Sequence, residues 1–228
     1  MHRRDQVAVN LAAVRARIER AGGDPDAIAI VAVSKGEPAE ACRAAVAAGL
    51  AVLGENRVQE ALGKMDQVPG ATWHLVGHLQ TNKVRHAGRF ALVQSLDSVR
   101  LAEALAARGR LAALLEVNVA REAQKHGIAP ERAVETAVAV SGLVDLRGLM
   151  AMGPAGGDPR PAFAELRRLR DEVEQRLGRS LPVLSMGMSE DLEAAVAEGT
   201  TMVRIGRALF GPRPGSPPDA EGPGGVPS

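Results

Sequence analysis

The chain has 228 residues, of which 46% are hydrophobic and 2% aromatic, and its formal net charge is +1. That length suits one sizeable domain, and the near-neutral charge predicts no overall attraction to nucleic acid or to an anionic membrane surface. No apolar stretch reaches the roughly 20 residues needed to cross a bilayer. The single Cys42 cannot form an intrachain disulfide, and no signal peptide is recognisable, so we expect a cytoplasmic protein.

One helical pattern is followed by a regular alternation of apolar runs and helix-like segments. Residues 6–21 have apolar positions at helical spacing and are closed by two glycines. Eight apolar runs then predict strands at 28–34, 51–54, 73–77, 90–95, 111–119, 144–150, 182–186 and 201–206. The intervening helices are predicted at 38–49, 56–66, from Gln80 onward, at 98–109, 130–141 and 159–178, and from a Ser189 cap to Gly199, with a short helical turn after 206.

These strands are continuous apolar runs, which is typical of parallel strands covered on both faces. The pattern therefore predicts an α/β protein with a single (β/α)8 TIM-type barrel over residues 1–211 and an extra N-terminal helix. A doubly wound open sheet is the alternative. Residues 212–228 are rich in Pro, Gly and Ser and are predicted to be a disordered tail.

The first predicted strand ends on a lysine, in the run IVAVSK at residues 30–35. Barrel enzymes build their sites at the carboxyl ends of the strands. With its stem among Val31 and Val33, the amine of Lys35 is expected to be partly desolvated, which lowers its pKa. A neutral amine attacks carbonyl carbons and forms a Schiff base.

A phosphate site is predicted at the same rim. Barrels often bind phosphate with the loops after strands 7 and 8, here SMGMS (185–189) and IGR (205–207). Arg204 alternates with apolar neighbours in strand 8 and points into the barrel. It either pairs with a carboxylate such as Glu55 or Glu116, or donates to a ligand ring nitrogen or phosphate. A lysine, an arginine and a phosphate cradle together suit pyridoxal phosphate.

Six motifs in order resemble one known family over about residues 6–211. They are IVAVSKGEPAE (30–40), GENRVQEA (54–61), WHLVGHLQTNK (73–83), LRGLMAM (146–152), SMGMSEDLEAA (185–195) and TMVRIGRALFG (201–211). With these motifs the chain resembles the pyridoxal phosphate homeostasis proteins, of the YggS or proline synthase co-transcribed homologue type.

The resemblance implies a barrel like the N-terminal domain of alanine racemase, with pyridoxal phosphate held as an aldimine on Lys35. It places Asn56 beside the cofactor ring and Arg204 near the ring nitrogen. It implies a phosphate site formed by Ser185 with Met186 of the same loop, Gly206 and Arg207. Its members are regarded as non-catalytic proteins that hold the cofactor, with pyridoxal phosphate-dependent apo-enzymes as possible recipients.

Catalysis is not expected, because a racemase needs a second acid or base on the other face of the bound amino acid. In the racemase relatives this base is a tyrosine, and this chain has no tyrosine. His74 and His78 are the remaining candidates, and both are expected to be structural. The alternatives are a small pyridoxal phosphate-dependent racemase or lyase and, more distantly, a Schiff-base aldolase acting on sugar phosphates.

The remaining polar residues receive structural interpretations. No spacing of His, Cys, Asp or Glu predicts a metal site. Lys83 is either a solvated helix residue, which is favoured, or a second amine that contacts the cofactor. Lys125 and His126 either lie in a surface loop, which is favoured, or face the mouth of the site. Without a second domain, the chain is predicted to be a monomer.

Overall fold

Eight parallel strands pair in chain order, and β8 pairs with β1, so that the sheet closes into a barrel. The structure is a computed structural model that describes residues 3–211. The predicted (β/α)8 barrel is confirmed, and the open sheet is wrong. The predicted tail, 212–228, lies outside the described residues. The strands are β1 Ala29–Val33, β2 Val52–Glu55, β3 Thr72–Leu75, β4 Leu92–Leu96, β5 Ala112–Glu116, β6 Asp145–Met150, β7 Val183–Ser185 and β8 Met202–Ile205.

Helices cover the outside of the barrel between successive strands. The α-helices are α1 Arg3–Arg20, α2 Ala39–Ala47, α3 Val58–Met65, α4 Val99–Ala106, α5 Ala133–Ser141, α6 Arg160–Leu177, α7 Leu192–Ala197 and α8 Arg207–Phe210. Two connections contain 3₁₀ helices, Thr81–Arg89 and Pro130–Arg132.

The predicted cap at Ser189 is wrong, because α7 begins three residues later, at Leu192. The Asp191 carboxylate accepts a hydrogen bond of 2.5 Å from the Met188 amide. The segment 188–191 therefore forms a turn before the helix starts.

Alternation along the strands separates two apolar layers. In β8, Val203 and Ile205 face outward into the core between the sheet and the helices, and Met202 faces the barrel interior. A second, smaller cluster fills that interior, and its buried members are Val31, Leu92, Leu114, Met150 and Met202. Each such side chain contributes roughly 1.5–3 kcal/mol through burial, so both layers hold the strand ends in fixed positions.

The helix α1 packs beside α2, α7 and α8 and ties the chain start to the rim. Asn10 donates a hydrogen bond of 2.8 Å to the Leu209 carbonyl, and Arg17 donates one of 2.9 Å to the Ser189 carbonyl. Within residues 3–211, no helix is both long enough and apolar enough to span a membrane.

Candidate functional site

A cavity of about 520 Å³ opens at the carboxyl ends of the strands. Its walls come from β1, β6 and β8 and from residues that follow β1, β2, β3, β5, β6, β7 and β8. Small-molecule sites commonly have volumes of this order. The lining combines apolar side chains with several charged groups, which are Lys35, Lys125, Glu190, Asp191, Arg204 and Arg207.

Lys35 lies in a tight turn directly after β1 and is half-buried at the cavity wall. The Glu37 amide donates to the Ser34 carbonyl, at 3.0 Å, and closes the turn. Gly36, at the third position, has φ of 77°, as a type II turn requires. A side chain at that position would be strained, so the glycine fixes the direction in which Lys35 leaves the strand.

A buried ionic network supports this turn from behind. The Lys64 amine donates to the Ser34 carbonyl (2.8 Å), to Glu55 Oε1 (2.7 Å) and to Glu60 Oε1 (2.8 Å). Glu60 Oε1 also accepts the Gly36 amide at 2.5 Å. Both backbone neighbours of Lys35 are therefore held by charged side chains.

Burial and hydrogen bonding shift the pKa values of the groups in this network. Burial raises the pKa of Glu55, although Lys64 and Ser34 donate hydrogen bonds to it. Burial works to lower the pKa of the Lys64 amine, but its hydrogen bonds to Glu55 and Glu60 outweigh that effect and raise it. Lys64 therefore stays charged and holds the turn across the neutral pH range. The sequence interpretation missed Lys64, because its partners come from three different segments.

Asn56 follows β2 and lines the cavity beside the apolar side chain of Val76. The backbone of Gly77 passes so close that a Cβ there would stand 2.4 Å from the Asn56 carbonyl oxygen. Only glycine permits this approach, which sets the position of Asn56 between β2 and β3.

Arg204 is buried in the barrel interior and reaches the cavity floor. Its guanidinium donates to the Ser185 carbonyl (3.0 Å), the Ser185 hydroxyl (2.7 Å) and the Ala151 carbonyl (2.8 Å). Burial lowers its pKa to about 10, while the charges of Glu116 and Asp191 act in the opposite direction. Arg204 is therefore a protonated, fixed donor at neutral pH.

Gly206 and Arg207 form the cavity wall after β8. A guanidinium nitrogen of Arg207 donates to Glu190 in the loop that follows β7. Both side chains are largely exposed, so this ion pair crosses the cavity mouth in contact with solvent.

Five of the seven predicted cofactor residues line the cavity, and Ser185 and Met186 do not. The Ser185 hydroxyl lies fully buried between Gln94 Oε1, at 2.7 Å, and Arg204. Met186 packs in the outer apolar core. The later part of the same loop, Met188 and Ser189, reaches the cavity in their place.

Lys125 corrects another expectation, because it lines the cavity instead of lying on an open surface. Its amine donates to Glu122 Oε1 at 2.8 Å and to the Gly153 carbonyl at 2.7 Å. Gly153 lies in the loop after β6, and residues 152–157 of that loop also line the cavity. The less favoured alternative, in which this loop returns to the barrel mouth, is the one the structure shows for Lys125.

The two histidines near β3 occupy different environments. His74 is buried inside the barrel, where Nδ1 lies 3.0 Å from Gln94 Nε2, and burial lowers its pKa to about 4. Its imidazole is therefore neutral at neutral pH. His78 lies at the rim, with Nδ1 3.0 Å from Asp97 Oδ2, and it does not line the cavity.

Comparison with known proteins agrees with this architecture. A family profile described as alanine racemase, N-terminal domain, matches residues 4–214. The pyridoxal phosphate homeostasis protein of Pseudomonas aeruginosa is 45% identical over 221 residues, covering 91% of this chain and 96% of that protein. The chain belongs to the pyridoxal phosphate homeostasis protein family. The family identified from the six motifs is thereby confirmed.

Two solved structures are similar to this chain in fold. PipY of Synechococcus elongatus, in a structure with pyridoxal phosphate bound, is 37% identical with a TM-score of 0.78. The match covers 90% of this chain and 99% of PipY. Alanine racemase from Corynebacterium glutamicum has a TM-score of 0.74 at 16% identity, covering 92% of this chain and 62% of the racemase. The racemase likeness concerns the barrel fold alone.

Proposed function

We propose that this chain binds pyridoxal phosphate in the rim cavity, through an imine between the Lys35 amine and the cofactor aldehyde, and holds it without catalytic turnover. The observation that carries the proposal is the cavity itself, which is lined by Lys35 after β1 and by Arg204, Gly206 and Arg207 from the neighbouring β8 and the segment that follows it. The bound cofactor in the relative PipY supports it.

The residues present fit the chemistry of the cofactor. The amine of Lys35 condenses with an aldehyde and releases one water molecule, which leaves a reversible covalent link. Gly206 leaves backbone accessible beside the cation of Arg207, which suits the phosphate end. Arg204 is our candidate for the ring nitrogen, and Asn56 for the ring edge. Ser185 then acts through Arg204, and Met186 through packing of its loop.

The same residues favour holding over turnover. The cofactor, when bound, supplies an electron sink for amino-acid chemistry. Arg204 keeps its proton, since its pKa is about 10, so it cannot protonate the ring nitrogen at neutral pH and the sink stays weak. The chain also has no tyrosine to act as the opposing base. We therefore infer a carrier that exchanges its cofactor with free amines or with apo-enzymes.

The proposal also covers the oligomeric state of the protein and the recipients of the cofactor. We propose a monomer, and we propose pyridoxal phosphate-dependent apo-enzymes in the cytoplasm as recipients. Size-exclusion chromatography with light scattering tests the first. The second is tested by mixing loaded protein with a cofactor-free transaminase, where transfer faster than release into buffer supports a carrier.

The cofactor assignment is tested by absorbance. Wild-type protein incubated with pyridoxal phosphate and then desalted is expected to show the visible band of a protonated imine. Lys35→Ala and Lys35→Arg are expected to lack it, and the arginine variant controls for charge. A colourless wild type would refute the assignment.

The enzyme alternative is tested separately, because Lys125 brings a second amine to the same cavity. Loaded protein is incubated with L-alanine or L-serine in deuterated water, and the α-proton is followed by NMR. A carrier gives exchange no faster than free cofactor at the same concentration. Rapid exchange with racemisation would replace the carrier by a racemase, and release of a keto acid would indicate a lyase.

A further inference from the structure

Two histidines and one aspartate meet at the barrel rim beside the cavity. His78 follows β3, Asp97 follows β4 directly, and His126 lies in the loop after β5. Because these strands are neighbours in the barrel, their carboxyl ends bring the three residues together. One ligand atom from each lies within 4.8 Å of the others.

The contacts within this cluster are close. His78 Nδ1 lies 3.0 Å from Asp97 Oδ2. The rings of His78 and His126 stack with centroids 4.3 Å apart and an angle of 11° between their planes. The Ser98 hydroxyl donates to the other carboxylate oxygen, Asp97 Oδ1, at 3.2 Å and orients that carboxylate.

We propose that His78, Asp97 and His126 bind one divalent transition-metal ion of the zinc type. Two imidazoles and a carboxylate form a ligand set that zinc accepts, with water in the remaining position. Imidazole ligands disfavour magnesium and calcium, which prefer oxygen. The ligand atoms must draw together by a short distance, which the exposed rings of the two histidines permit by rotating about their side-chain bonds.

The site is separate from the proposed cofactor site. None of its three residues lines the cavity, although His126 directly follows the cavity residue Lys125. A bound ion would therefore leave the cavity open while fixing the loop that carries Lys125. The inference does not depend on pyridoxal phosphate binding, and either proposal can fail without the other.

The experiment is a calorimetric titration of untagged, chelator-treated full-length protein with zinc chloride, and in parallel with magnesium chloride. We expect one zinc ion per chain and no binding of magnesium. His126→Ala, His78→Ala and Asp97→Asn are each expected to weaken zinc binding by at least about tenfold, since even the loss of a residue that only orients a ligand commonly has that effect. Cobalt(II) is expected to give visible bands of a low-coordinate site, which His126→Ala abolishes.

His86→Ala is the matched control, because His86 lies in the 3₁₀ helix Thr81–Arg89 and does not belong to the cluster. It is expected to bind zinc as the wild type does. The proposal is overturned if the wild type binds no zinc, if His126→Ala and His78→Ala bind it unchanged, or if His86→Ala loses as much affinity as they do.

Discussion

Single residues inside the barrel determine how the cavity floor is charged. Arg204, Ser185 and Gln94 form a hydrogen-bonded chain across the interior, and Glu116 is buried in the same interior with its pKa raised to about 7 by burial, against the charge of Arg204. The barrel interior around Arg204 therefore combines a permanent cation with a carboxyl group whose pKa lies near 7, so its charge depends on pH.

The buried carboxyl predicts a pH-dependent stability. Between its ordinary pKa of about 4.5 and about 7, folded Glu116 holds a proton that the unfolded chain has released. Its contribution to the free energy of unfolding therefore falls as pH rises through that window. In cofactor-free Glu116→Gln, the free energy of unfolding relative to wild type is expected to rise from pH 4.5 to 7 by up to about 3 kcal/mol and then stay constant. Urea unfolding at several pH values measures it.

The buried imidazole of His74 provides a control, because its effect on the free energy of unfolding changes with pH in the opposite direction. Its pKa falls from 6.5 to about 4, so the unfolded chain binds the extra proton between those values and stability rises with pH. His74→Gln relative to wild type is expected to lose stability as pH rises from 4 to 6.5. A difference for Glu116→Gln that does not change with pH would mean that Glu116 is ionised in the folded barrel.

The ion pair between Arg207 and Glu190 predicts an effect on affinity. Glu190→Gln removes a carboxylate from the mouth and releases Arg207 from that pairing, so pyridoxal phosphate is expected to bind about two- to tenfold more tightly at low salt. Equilibrium dialysis measures the Kd. Glu172→Gln makes the same charge change on α6, away from the cavity, and is expected to leave the Kd unchanged. Weaker binding by Glu190→Gln would show that the carboxylate itself supports the phosphate end.

At the scale of elements, the turn after β1 depends on α3. Glu60 and Lys64 reach from that helix to the backbone on both sides of Lys35. The hydrogen bonds from Lys64 and the Gly36 amide outweigh the effect of burial and lower the pKa of Glu60. Glu60 is thus an ionised acceptor that holds the lysine turn against α3.

Removing this acceptor is expected to loosen the turn. Glu60→Ala leaves the Gly36 amide without its acceptor, so release of pyridoxal phosphate is expected to accelerate about three- to tenfold, while the partly exposed site limits the loss of stability to about 1 kcal/mol. Absorbance after dilution into an aldehyde trap measures the release rate. Glu60→Gln keeps an oxygen acceptor and is expected to restore most of the wild-type rate. Equal rates in wild type and Glu60→Ala would contradict this positioning role.

The sequence predicted the barrel and much of the cavity, because both follow from local patterns. Apolar runs mark the strands, and the end of a strand marks the rim, which located Lys35 and Arg207. Strand alternation correctly turned Arg204 inward. The position of Ser185 at the end of a strand predicted a place in the phosphate site, but it did not indicate how deeply the residue is buried, and Gln94 of β4 accepts a hydrogen bond from its hydroxyl. The roles of Lys64 and Lys125 depend on contacts with distant segments, namely Ser34 for Lys64 and Gly153 for Lys125, and local patterns do not indicate these contacts.

For the whole molecule, one closed barrel brings residues from every part of the chain to a single rim. Lys35 follows the first strand and Arg207 the last, and the pairing of β1 with β8 makes their elements neighbours. The closure of the barrel therefore places the amine and the proposed phosphate end within one cavity. The central claim is that this amine binds the cofactor covalently.

That claim is tested most directly by borohydride reduction of the loaded protein, proteolysis and mass spectrometry. The account predicts one pyridoxyl phosphate adduct, stable to reduction, on the peptide that contains Lys35, and no such adduct at that position in Lys35→Arg. An unmodified Lys35 peptide, with the adduct on another lysine or on none, would contradict it.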